Sequence, residues 1–161
     1  MLLEGSCHCQ KVKFRLESAH PYPFNLCYCE VCRKTAGGGG YVINLGGHAD
    51  SMSCDGRAFV STYRAELIDK TGNKKKSTAE RNFCKECGSA LWLWDPTWSE
   101  LIHPFASAID TDLPKAPEQT HLMVAFKASW VQCFMTREDK SYEYYPEESI
   151  EDWHKRLKLE C

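Results

Sequence analysis

The chain has 161 residues, 43% of them hydrophobic and 26% charged, with a net charge of -2 and ten cysteines. This is the composition of a folded chain with a real core and excludes a disordered one. The mild negative charge also argues against a general binder of nucleic acid or anionic membrane.

Met1-Leu2-Leu3 runs straight into Glu4-Gly5-Ser6-Cys7, without an apolar leader core. No apolar run reaches the roughly 18–20 residues of a membrane span. A reducing, cytoplasmic setting is therefore expected, in which closely spaced cysteines mean metal rather than disulfides.

Cys7-His8-Cys9 opens the ordered region. Val12, Phe14 and Leu16 then alternate with Lys11, Lys13 and Arg15, which predicts a half-buried strand. His20-Pro21-Tyr22-Pro23 breaks it, and Phe24-Asn25-Leu26 leads into a dense stretch from Cys27 to Gly37, with a turn of helix after Cys32. Gly37 to Gly40 precede a strand from Tyr41 to Leu45, which Gly46-Gly47 should end. Phe59 to Arg64 alternates again. Asp69 to Lys76 reads as a hairpin turn with Thr71-Gly72-Asn73 at its tip and Lys74-Lys75-Lys76 as a solvated basic run.

Arg81-Asn82-Phe83 leads into Cys84-Lys85-Glu86-Cys87-Gly88-Ser89. Ala90 to Trp94 predicts a strand and Leu101 to Ala106 another. Thr111 to Thr120, with Pro114 and Pro117, is a loop, and His121 to Phe126 and Val131 to Met135 are further apolar runs. Only the end is helical: Ser149-Ile150-Glu151-Asp152 has capping-box spacing, and Ile150, Trp153 and Leu157 share a face. The expected fold is mainly β, a zinc domain over residues 1–146 with a short C-terminal helix within 147–161 packed on it.

Seven cysteines have metal-type spacing: Cys7 and Cys9; Cys27, Cys29 and Cys32; Cys84 and Cys87. A structural zinc takes four ligands in a closed tetrahedron, whereas a catalytic zinc keeps a position open. Seven ligands divide naturally into four and three. Cys7, Cys9, Cys84 and Cys87 are assigned to the closed site, and Cys27, Cys29 and Cys32 to the open one. Two alternatives stand beside this. Cys84 and Cys87 could pair with two of the middle three, or Cys54, Cys133, His48 or His121 could complete the triple as a second structural site. Cys54, Cys133 and Cys161 otherwise have no assigned role.

Three thiolates on a divalent ion already carry a formal -1, which suits a further sulfur ligand better than activation of water. A fourth thiolate makes the centre -2, so adjacent cations should help, and Arg33 and Lys34 are placed by sequence to do so. Tyr28, Trp92 and Trp94 are candidates for the pocket wall or for plain core. Gly37 to Gly40 could admit close approach of substrate or simply form a turn.

The order Gly5-Ser6-Cys7-His8-Cys9, then Cys27-x-Cys29-x-x-Cys32-Arg33-Lys34-x-x-Gly37, then Arg81-x-Phe83-Cys84-x-x-Cys87-Gly88-Ser89 resembles the glutathione-dependent formaldehyde-activating enzyme family, whose domain centromere protein V also carries. His121-Leu122-Met123 and Ala128-Ser129-Trp130 resemble the family's C-terminal segment, so the similarity covers roughly residues 3–135. It implies a β-tent fold of twisted sheets with two zinc ions, a structural one on Cys7, Cys9, Cys84 and Cys87 and a catalytic one on Cys27, Cys29 and Cys32.

The resemblance also implies a carbon–sulfur lyase that forms and cleaves S-hydroxymethylglutathione. The partner is then a small thiol or thiol adduct, without membrane or nucleic acid, and a homo-oligomer is compatible. Tyr28 stands where the family often has His, which bears on substrate rather than on metal. Two rival readings are a zinc enzyme acting on an imine or thioether intermediate, and a non-catalytic zinc-stabilised binding module.

Overall fold

The computed structural model describes residues 1–68 and 71–161. Asp69 and Lys70, at the start of the expected hairpin turn, lie outside the described residues. The alternation at the N-terminus builds the first sheet. β1 (Leu2–Ser6) pairs antiparallel with β2 (Lys13–Glu17), setting Leu3 against Leu16 and Gly5 against Phe14. Leu3, Val12, Phe14 and Leu16 are buried, while Lys13 and Arg15 face solvent, as a period of two requires.

The chain continues through β3 (Asn25–Cys27), α1 (Glu30–Thr35), β4 (Val42–Ile43), β5 (Gly47–His48), β6 (Ser53–Asp55) and β7 (Val60–Tyr63). Then come β8 (Glu66–Ile68), β9 (Lys74–Lys76), β10 (Glu80–Cys84), β11 (Ala90–Trp94), β12 (Leu101–Pro104), β13 (Thr120–Leu122), β14 (Lys140–Ser141) and α2 (Ile150–Leu157). β1-β2-β6 form one sheet, β5-β12-β11-β10-β7 a second and β14-β13-β3-β4 a third, with β8 and β9 a separate hairpin. The main core lies between the first two sheets, where Phe14 meets Trp92 edge to face at 5.2 Å. The mainly β class with one C-terminal helix is as expected.

Three local expectations need correction. The strand over 41–45 shrinks to Val42–Ile43, and Asn44 instead bridges Phe105. Gly46 and Gly47 do not stop it: Gly46 bridges His20 and Gly47 belongs to β5, where an added Cβ would lie 2.1 Å from Leu16 Cδ1. Close packing, not chain reversal, explains that glycine. Lys74 to Lys76 form a strand rather than a turn, paired with β8, and Lys74 Nζ lies 2.8 Å from the Glu66 carboxylate. The apolar run from Val131 to Met135 is split in its burial, with Val131 buried and Phe134 81% exposed.

α2 begins at the predicted capping box, with Ser149 Oγ accepting from Asp152 N–H at 3.0 Å and Asp152 accepting from Ser149 N–H. Trp153 is fully buried and stacks on Phe24 at 3.8 Å and 9°. A ring so placed is worth on the order of 3–5 kcal/mol against alanine. Arg156 adds ion pairs to Glu148 and Glu118. These contacts seat the first turn of α2 beside the end of β3, where the middle cysteines lie.

Candidate metal centres

Two tight turns bring four thiols together. After β1 the chain folds back, with Cys7 N–H donating to Val12 O at 3.0 Å and Gln10 N–H to Cys7 O at 2.9 Å. After β10 it turns again at Gly88, whose φ of +75° suits glycine, and Gly88 N–H donates to Cys84 O at 2.8 Å. His8 N–H donates to Ser89 Oγ at 3.0 Å and joins the turns. The Sγ atoms of Cys7, Cys9, Cys84 and Cys87 lie within 4.8 Å of one another.

The hydrogen bonding favours the thiolate at Cys7 and Cys87, while Cys9 is pushed up to about 12. Burial alone would raise the Cys7 thiol, but the Val12 N–H and the neighbouring thiols Cys9 and Cys84 outweigh it and lower the pKa. Cys87 is lowered to about 5, first by the Ser89 hydroxyl and then by backbone N–H groups of Ser89 and Cys9. Four convergent sulfurs on two turns could hold one metal ion in a closed tetrahedron.

The second cluster forms where β3 becomes α1. Cys27 ends the strand, Cys29 is the helix N-cap, and Cys32 lies inside the helix. Cys29 Sγ accepts from Cys32 N–H at 3.3 Å, and all three sulfurs lie within 4.8 Å of one another. Among them Cys29 ionises most readily. Hydrogen bonds from Cys27 and Cys32 lower its pKa, helped by the Cys32 N–H and the charge of Arg81, against the opposing effect of burial.

Alternation at this strand end sends Tyr28 the other way. It is 1% exposed, packs on Tyr41, and places its hydroxyl 2.8 Å from His121 Nδ1. Burial is the first cause of its raised phenol pKa.

The three cysteines line one end of a cavity of about 460 Å³. Arg81, His103, Asn25, Asn44 and Tyr145 line it too, with residues 148–151 at the start of α2. His103 Nδ1 lies 3.0 Å from Leu45 O and donates to it, which leaves Nε2 as the acceptor; burial lowers its pKa. The Oδ1 atoms of Asn25 and Asn44 and the Nε of Arg81 are buried without a hydrogen-bond partner. Tyr145 is itself 73% exposed.

Not every expected residue arrives. Lys34 is 63% exposed and pairs with Glu30 at 2.8 Å, and Arg33, on the same short helix, does not line the cavity. Tyr28, Trp92 and Trp94 do not line it either; Leu93 and Trp98 do. Gly37 to Gly40 form a turn, with Gly40 N–H donating to Gly37 O at 2.9 Å and Val131 filling the space beside Gly40.

None of the candidates for a fourth ligand joins the triple among the described residues. His121 bonds Tyr28, Cys133 packs beside Tyr28, His48 lies in β5, and Cys54 sits opposite Phe14 in β6. Cys161 is exposed at the chain end.

Arg81, His103, Asn25, Asn44 and Tyr145 were not singled out as cavity residues by sequence. Only Arg81 carried a signal there, as the first residue of the motif that ends in Cys84 to Ser89.

The family model described as glutathione-dependent formaldehyde-activating enzyme matches residues 2–125. A protein of Halomonas elongata, provisionally named a glutathione-dependent formaldehyde-activating enzyme, is 56% identical over 160 residues, or 99% of each chain. A crystal structure of a Rhodobacter sphaeroides protein shares the fold, with a TM-score of 0.51 at 20% identity over 69% of this chain and 91% of that one. From the match to the family model and the extent of the Halomonas similarity, the chain belongs to the glutathione-dependent formaldehyde-activating enzyme family.

Proposed function

We propose that this chain is a zinc-dependent carbon–sulfur lyase that joins formaldehyde to the thiol of glutathione and cleaves the resulting S-hydroxymethyl adduct. Family membership and the name of the Halomonas relative support the reaction class. The observation that carries it is the contrast between the clusters: four thiols close on one another, whereas three face a cavity with no fourth protein ligand among the described residues. An all-sulfur donor set fits zinc. Cys27, Cys29 and Cys32 would hold the catalytic ion, and Cys7, Cys9, Cys84 and Cys87 a structural one. When bound at the triple, zinc supplies a Lewis acid with room for one soft sulfur ligand, which favours the ionised thiol.

The protein's own groups supply the rest. The cavity of about 460 Å³ is of the size that small-molecule sites use. As the thiolate sulfur bonds to the formaldehyde carbon, the C=O π pair moves to oxygen, which takes up the proton that the thiol gave up. His103 is suited to carry that proton, because its Nδ1–H is committed to Leu45 O and its burial keeps Nε2 unprotonated at neutral pH. Cleavage runs the same steps backwards. No described helix is long and apolar enough to cross a membrane; a cytoplasmic setting rich in thiols fits the proposed substrate.

Formaldehyde and glutathione combine unaided, so the test is acceleration over that background. Saturation kinetics of the wild-type protein against Cys32→Ser should show a rate above background only for the wild type. Equal rates for the two proteins would sink the proposal.

A further inference from the structure

Arg81 is the feature of the cavity that the cysteines do not explain. It sits on β10, three residues before Cys84, half-buried, with its Nε enclosed and without a hydrogen-bond partner. The nearby carboxylates pair elsewhere: Glu80 with Arg64, Glu148 with Arg156 and Glu151 with Lys155. An enclosed, unbonded guanidinium N–H is costly unless a partner supplies an acceptor.

Arg81 lines the same cavity as Cys27, Cys29, Cys32 and His103.

We propose that Arg81 is a catalytic residue whose guanidinium receives the formaldehyde oxygen, two bonds from the substrate sulfur, as it becomes anionic. The inference rests on the proposed lyase reaction. In the forward direction the C–S bond forms, the C=O π bond breaks, and its electron pair settles on oxygen facing Arg81 before the proton arrives. In reverse, the hydroxyl loses its proton, the oxygen pair re-forms C=O, and the C–S pair returns to sulfur. No external oxidant or reductant is involved.

The test has a kinetic and a binding arm, run on zinc-loaded wild type, Arg81→Gln and Arg81→Lys, each checked for metal content and thermal unfolding. Loss of one preorganised donor to a developing oxyanion costs about 100-fold or more in kcat. Arg81→Gln should lose that much, with the glutathione KM within about threefold of wild type, and Arg81→Lys should recover part of it. A raised KM with unchanged kcat would overturn the proposal, because it would place Arg81 against a remote carboxylate.

The binding arm compares mercaptoacetate, which carries an anionic oxygen near its sulfur, with ethanethiol, which carries none. Wild type should favour mercaptoacetate by about tenfold and Arg81→Gln should lose the preference. Equal binding of the two thiols by wild type, or a preference that survives in Arg81→Gln, would overturn it. If Arg81→Gln does not fold, Arg81→Lys should weaken the preference by about threefold, because lysine lacks the planar fork, and an unchanged preference overturns it. A wild type that fails to beat the background reaction would defeat the lyase reading alone, and the binding arm would still decide on Arg81.

Discussion

The two cysteine clusters use the same atoms for opposite ends. The four-cysteine cluster is built from two backbone turns, after β1 and after β10, and it ties the ends of strands in two different sheets. Its ligands are spaced so that the site closes on itself. The three-cysteine cluster is built on one continuous segment, from the last residue of β3 through the first turn of α1, and it opens towards a cavity. Ligands contributed by distant segments hold a fold together. Ligands contributed by one segment leave the fold largely indifferent to them and free for chemistry.

That contrast is breakable, most severely at the closed cluster. Cys84→Ser should lower Tm by roughly 10 °C or more, given the several kcal/mol a structural zinc adds and about 2–4 °C per kcal/mol for a chain of this size. Differential scanning calorimetry checks it, and a chelator strong enough to strip both sites should do the same to the wild type. A Tm within about 2 °C of wild type would mean that the turns stand without metal.

At the open cluster the loss should fall on activity instead. Cys32→Ser should bring the rate to background while lowering Tm by only a few degrees, about 1–2 kcal/mol. Metal analysis should find about one zinc per chain in place of two, since an incomplete site no longer holds its ion. A collapse of Tm equal to that of Cys84→Ser would erase the distinction between the clusters.

The wall of the open cavity depends on α2, and α2 depends on a neutral histidine. His154 Nδ1–H donates to Ile150 O, and its Nε2 accepts from Tyr22 N–H at 3.3 Å. Burial is the first cause of its lowered pKa. The unfolded chain therefore binds this proton more readily than the folded one. The stability it contributes is complete above the ordinary histidine pKa of about 6.5 and is lost as pH falls below it. Urea unfolding at several pH values between neutrality and mild acid should show wild-type stability falling faster than that of His154→Gln. Parallel curves would remove the histidine from the account.

Smaller effects locate Tyr28 and Lys34. Tyr28→Phe leaves His121 Nδ1 without its partner and should cost about 1–3 kcal/mol by chemical denaturation, while kcat stays within about threefold. A larger fall in kcat would place the hydroxyl in the reaction. Lys34→Ala should change neither activity nor Tm measurably, because the Lys34–Glu30 pair is exposed.

Much of this was legible in the residues. Alternation at Val12, Phe14 and Leu16, the capping box at Ser149 and the run Ala90 to Trp94 act over short distances, so local sequence suffices to place them. Short paired segments were harder. Gly47 reads as a stop until Leu16 is seen against it, and Lys74 to Lys76 read as a turn until β8 is paired with them. Both depend on a neighbour that is remote or unmarked in the sequence.

The same division holds at the candidate site. Spacing by itself determined which seven thiols could serve a metal, because ligand spacing is a local property of turns and helix starts; which four and which three converge was decided by the fold. Which cation faces the open group was decided only by the tertiary structure. Arg33 and Lys34 are adjacent in sequence to Cys32, but the short helix keeps them out of the cavity, whereas β10 brings Arg81 into it from nearly fifty residues away in the chain. A side chain's direction is set by the element that carries it, and adjacency along the chain says little about adjacency across a cavity.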